Sequence, residues 1–258
     1  MGRERAGARL DGMNPVIRNR VASVLVAGAT AGALLAGGAT SAVASTPPSE
    51  SPSLSDFSDC PDLPTGVDPA KWRCEVFVSE GRFKLGAVDV PAMAPMVITN
   101  AEGPLPDGSR GQVFGALRAT PTPVPDAPAP FRGSLRLQPE YAGYADFYGD
   151  GVHRGALDLK FRLIHPLLDS DCTIGSDADP VKFRMIQDGS TEWVSKNPPV
   201  LKFKAHDTAF AAPGAHGCGP LTHLVDQRLG LPAATGDNEI SLNASYTFRT
   251  YDKLPARS

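Results

Sequence analysis

Near its C-terminal end the chain reads PGAHGCGP, Pro213 to Pro220, with Cys218 two residues after His216 and a glycine on either side. Three chemistries fit such a pair: a thiol nucleophile with an imidazole base, half of a metal site, or one end of a disulfide. A nucleophile needs a free thiol, a base and an orienting group. A zinc site needs three or four ligands, and no C-x-x-C or H-x-x-x-H is present to supply them. Cys60, Cys74, Cys172 and Cys218 are an even set, which in an exported chain favours disulfides. Of the three possible connectivities, spacing favours Cys60–Cys74 and Cys172–Cys218. Cys218 is then a staple, and Gly217 and Gly219 let its loop approach Cys172.

Other chemistry is thin. DSDCTIGSDADP offers Asp169, Asp171, Asp177 and Asp179 as hard oxygen donors for calcium, but Thr173 stands at the third ligand place of an EF-hand pattern and no distal Glu follows. His206–Asp207 resembles a base with its orienter, yet neighbours on a strand point to opposite faces. No G-x-S-x-G, S-x-x-K or H-E-x-x-H occurs. The sequence therefore assigns no catalytic residue, no metal ligand and no cofactor site. One stretch stands out by composition: YAGYADFYGDG, Tyr141 to Gly151, holds three of the five tyrosines. Extended, it places Tyr144, Asp146 and Tyr148 on one wet face, a candidate binding surface, with Ala145 and Phe147 toward the core. The plainer expectation is cross-strand packing.

The elements that must position these residues are strands. ALDLKFRLI sets Leu157, Leu159, Phe161 and Leu163 on one face. EISLNASYTFR does the same with Ile240, Leu242, Ala244, Tyr246 and Phe248, and RFKLGAVDV, PVKFRMI and PVLKFKA repeat the theme. Period two with one polar face predicts antiparallel sheet. PDGS at 106–109, GDG at 149–151, QDGS at 187–190 and TGDN at 235–238 read as turns. Only PLTHLVDQRLG has helical spacing, with Leu221, Leu224, Val225 and Leu229 in a stripe closed by Gly230. The expected fold is all-β: an antiparallel β-sandwich, immunoglobulin-like or related, with one short helix near the C-terminus and two disulfides. The Pro-rich ATPTPVPDAPAP, 119–130, reads as a long surface loop within one domain.

The first residues decide the expected compartment. Arg3, Arg5, Arg9, Arg18 and Arg20 form a basic leader, followed by an uncharged run from Val21 to Ala44 that ends in Ala42-Val43-Ala44. That is a signal-peptide pattern, so residues 1–44 are expected to be removed, with Met1 and Met13 both open as starts. Residues 45–59, rich in Ser and Pro, read as a disordered tether, and 60–258 as a single β-sandwich domain. The formal net charge is −3; taking away five Arg, one Glu and one Asp leaves −6. Without a basic block, nucleic acid is not an expected partner, and no stable membrane span remains after signal cleavage.

CTIGSDADPVKF (172–183), AFAAPGAHGCGP (209–220), GLP (230–232) and GDNEISLNASY (236–246) together resemble a largely uncharacterised group of exported actinobacterial proteins with a C-T-I-G … P-G-A-x-G-C-G pattern. The resemblance covers the last third to half of the chain. It implies an exported, β-rich, disulfide-bonded domain and carries over no catalytic or binding residue. The expected function is accordingly non-enzymatic: a secreted or cell-wall-retained protein that binds or assembles with a cell-wall or protein partner. The alternative is a secreted hydrolase on a β-sandwich scaffold.

Overall fold

The computed structural model describes residues 53–149 and 152–255. The leader at 1–44, the first part of the expected tether, and Asp150 and Gly151 of the GDG turn lie outside the described residues.

In chain order the strands are β1 (Arg73–Leu85), β2 (Val88–Pro104), β3 (Arg110–Ala119), β4 (Thr122–Pro123), β5 (Arg136–Asp146), β6 (His153–Ile164), β7 (Thr173–Ile174), β8 (Val181–Lys196), β9 (Pro199–Asp207), β10 (Ala215–His216) and β11 (Glu239–Thr250). One helix, α1, spans Thr222–Leu229 after a 3-10 turn at Gly219–Leu221. Every strand pairing is antiparallel. The chain is thus mostly antiparallel β with one short helix and two disulfides.

A sandwich of two separately bonded sheets was expected; all eleven strands instead join one sheet that curls into a half-barrel. The order runs β5-β6-β8-β9-β11-β1-β2-β3, with β7 beside β6 and β10 beside β7. The curl brings the edges β3 and β5 together through side chains. The Phe114 and Tyr141 rings stack at 3.7 Å, Gln138 Nε2 donates to the Ala119 carbonyl at 2.7 Å, and the Tyr148 hydroxyl donates to the Gly111 carbonyl at 2.7 Å. Two edges that would otherwise expose unpaired backbone groups are covered in this way.

Alternation explains which residues face inward. Phe83 on β1, Phe161 on β6 and Phe183 on β8 are buried and meet inside the curl, with Phe83 and Phe161 stacked at 4.5 Å. The opposite face of β1 carries Cys74 and Val76, which pack with Phe57 and Cys60 in a small second core. The last residues of the segment expected as a tether are therefore packed from Phe57 onward. Gly81 marks the tightest crossing: a Cβ there would lie 1.9 Å from the Ser241 carbonyl oxygen of β11.

Three local expectations change. QDGS is not a turn: β8 runs through it with a register shift between Asp188 and Glu192, so the Asp-Gly pair makes a bulge. The Pro-rich segment is only in part a surface loop: Thr122 and Pro123 pair with β5, and Thr122, Val124 and Ala127 are buried, while Pro123, Pro125, Asp126, Ala129 and Pro130 are exposed. In α1 only Val225 and Leu229 of the expected stripe are fully buried, and Leu221 and Leu224 are half-buried. The helix seats on the β1–β2 turn, where Ala87 N donates to the Leu229 carbonyl at 2.8 Å. Gly230 closes it in the left-handed region, φ 65°.

Candidate functional site

Inside the curl, inward residues of β1, β2, β6, β8, β9 and β11 leave a cavity of about 70 Å³. That is several times the roughly 10–15 Å³ a single water needs. Of its seventeen lining residues only Ser79 and Arg154 have polar side chains, and the Ser79 hydroxyl turns to the Met96 carbonyl at 3.5 Å. Met96, Phe147, Met185, Phe203 and Leu242 supply much of the wall, and Met96 and Met185 are the most adaptable of these. Phe77 stacks on Phe147 at 5.6 Å and on Tyr246 at 5.0 Å, an aromatic layer at one end of the cavity.

Next along the same face of β1 comes a polar cluster. The register pairs Arg73 with Glu102 and Glu75 with Asn100, so four polar side chains of β1 and β2 share the inner face one step beyond Phe77. Arg73 Nε lies 2.7 Å from Glu75 Oε1, an ion pair without hydrogen-bond alignment, and its Nη2 donates to Glu102. Burial first, then repulsion from Glu102, pushes the Glu75 carboxyl from its ordinary 4.5 up to about 7, against the opposing pull of Arg73. Burial works against the Arg73 charge, yet Glu75 and Glu102 hold that guanidinium above its ordinary value. Asn100 is wholly buried and sits close enough to favour the Glu75 charge, but neither of its amide atoms reaches a protein partner in good geometry. Burial, then Glu75, raises Tyr246 as well.

Both disulfides form as spacing suggested. Cys60–Cys74 pins the N-terminal segment to the outer face of β1, and Cys172–Cys218 ties the loop after β6 to the loop before α1. No free cysteine remains among the described residues, so Cys218 has no thiol to offer. Of the candidate binding surface, Tyr144 is exposed, and Asp146 and Tyr148 are half-buried. Tyr144 is 46% exposed with the Arg184 guanidinium 5.4 Å from its ring, while Asp146 accepts the Tyr148 backbone N–H at 3.0 Å. Tyr148 folds back under Arg110 to bond Gly111, because β5 ends at Asp146 and strand alternation stops there. Phe147 and Ala145 do face the core.

His206 pairs not with Asp207 but across the bulge with Asp188, Nδ1 to Oδ1 at 2.7 Å. Asp207 is buried and accepts backbone N–H groups of Arg184 and Ala209. In the acidic loop Asp177 pairs with Lys160 at 2.8 Å, and no three metal-ligating side chains converge among the described residues. Sequence reasoning singled out neither the Glu75–Asn100–Glu102 cluster nor Arg154. RCEVFVSEG carries a period-two signal on both faces at once, Cys74 and Val76 outward and Glu75, Phe77 and Ser79 inward, so its polarity did not say which side was core.

Fold and site together define a curled antiparallel β protein with a partly open apolar cavity next to a carboxylate–guanidinium–amide cluster. Comparison with protein-family models, with curated proteins and with solved structures finds no match to this chain.

Proposed function

We propose that this chain is an exported binding protein, secreted or retained at the cell wall, that holds a small apolar group inside its curled sheet. The observation that carries this reading is the apolar cavity, which has no base–nucleophile pair and no carboxylate among its lining residues. Cavities walled mainly by apolar and aromatic side chains take apolar guests. A hydrolase on this scaffold would need titratable groups converging beside a substrate seat. Glu75 and Glu102 converge, but beyond the aromatic layer of Phe77, Phe147 and Tyr246 rather than in the cavity wall. Two disulfides and the basic, then uncharged, leader support an oxidising destination. No helix among the described residues is long and apolar enough to cross a membrane. The resemblance carried by the C-T-I-G … P-G-A-x-G-C-G pattern supports the same destination.

The test is uptake of a neutral apolar probe, 1-hexanol, followed by chemical-shift changes of the cavity methyl groups. Ala244 lines the cavity and is buried, so Ala244→Leu should fill it and abolish those changes while the fold is kept. Equal shifts in both proteins would place the probe elsewhere and remove the basis of the reading.

A further inference from the structure

We infer that the guest is an amphipathic anion, a short alkyl or aryl carboxylate, whose headgroup is taken by Arg154. This rests on the cavity being a binding site. Arg154 is the single charged residue in the cavity lining. Its guanidinium lies 4.9 Å from the centre of the Phe203 ring, itself part of the wall, and one Nη donates to the Thr191 hydroxyl. Its Nε is buried and has no acceptor among the described residues.

What points to a ligand is that Arg154 lines the cavity without a carboxylate partner among the described residues; Arg110 and Arg249 also lie over rings, but neither is in the lining. Arg73 meets Glu75 and Glu102, Arg162 meets Glu140, and Arg184 meets Asp158. Arg154 has no carboxylate within salt-bridge distance among the described residues; a hydroxyl and a ring are what it meets. A guanidinium carries five N–H donors in a fixed fork that matches a carboxylate. Leaving donors buried and unpaired is costly, and a charged acceptor in bidentate geometry relieves that cost with about twice the strength of a neutral one. An anion placed there directs its tail past Phe147 and Met185 into the apolar space. A volume near 70 Å³, with two methionines that can shift, suits a short chain rather than a long one. The Phe203 face under the guanidinium holds the cation in place at low entropy cost.

The experiment is calorimetric titration of the full chain with sodium hexanoate, 1-hexanol and hexylammonium chloride, repeated for Arg154→Gln. Hexanoate should bind at least about tenfold more tightly than hexanol, weaken as salt rises, and fall to the affinity of hexanol in Arg154→Gln. If hexanol and hexanoate bind the wild type equally, the headgroup role is overturned while the cavity reading survives. If hexylammonium binds best, the sign is wrong and the inference fails in the same way. If none of the three binds, the cavity reading fails and takes this one with it. Should Arg154→Gln not fold, the three-ligand order and the salt dependence of the wild type decide alone.

Discussion

Replacing Glu75 with glutamine should change how stability responds to pH, and the size of the change follows from where the carboxyl is held. In the unfolded chain Glu75 loses its proton near 4.5; in the folded protein it keeps it until about 7, because burial and Glu102 oppose the charge. Below 4.5 both states are protonated and the group contributes no pH dependence. Between 4.5 and about 7 the unfolded state has shed a proton that the folded state still binds, so stability falls as pH rises, by ~1.4 kcal/mol per pH unit. Above about 7 the loss is complete, about 3 kcal/mol in all. The amide of the variant has no proton to lose. The stability of the wild type minus that of Glu75→Gln, from urea titrations at about pH 4.5, 6 and 8, should therefore drop by about 3 kcal/mol across that range. The difference of differences cancels what the substitution does to the Arg73 contact at any single pH. A difference that stays flat within about 0.5 kcal/mol would mean that Glu75 ionises normally in the folded protein, and that burial does not dominate its environment.

Opening the Cys172–Cys218 bridge by replacing both residues with Ala should cost roughly 4 kcal/mol, since it frees a loop with a sequence separation of 46; chemical denaturation under non-reducing conditions measures it. Leu229→Ala, at a fully buried position of α1, should cost about 2–5 kcal/mol and loosen the β1–β2 turn, seen as faster amide exchange at Ala87. Tyr148→Phe should cost about 1 kcal/mol by deleting the bond to Gly111, whereas Tyr144→Ala should change the urea midpoint little, because its ring is exposed. Equal losses at the two tyrosines would contradict the different places the structure gives them.

Alternation and cysteine count carried most of what could be read in advance. ALDLKFRLI forms β6 with all four expected residues buried, and EISLNASYTFR forms β11 with Ile240 and Ala244 buried but Leu242, Tyr246 and Phe248 half-buried and Thr247 of the expected polar face buried, since period two depends only on neighbours along the chain. PLTHLVDQRLG contains its helix for the same local reason. The disulfide pairs followed from parity and proximity along the chain. What sequence could not decide was how the strands close. Whether strands split into two sheets or curl as one depends on twist summed over many pairings and on which edges meet. The stitching of β3 to β5 uses Phe114, Tyr141, Gln138 and Tyr148, and each of these meets a partner far away in the chain.

The same holds for the site. Glu75, Asn100 and Glu102 are unremarkable in sequence, and their chemistry arises only from the register that puts Glu75 opposite Asn100 and Arg73 opposite Glu102. Arg154 and Phe203 stand on strands separated by β8, and the cation lies over the ring only once the three strands are assembled. Strand identity is a property of neighbours in sequence. Burial of a charge, and the cavity beside it, are properties of what the closed sheet excludes from water, so the tertiary structure alone decides them.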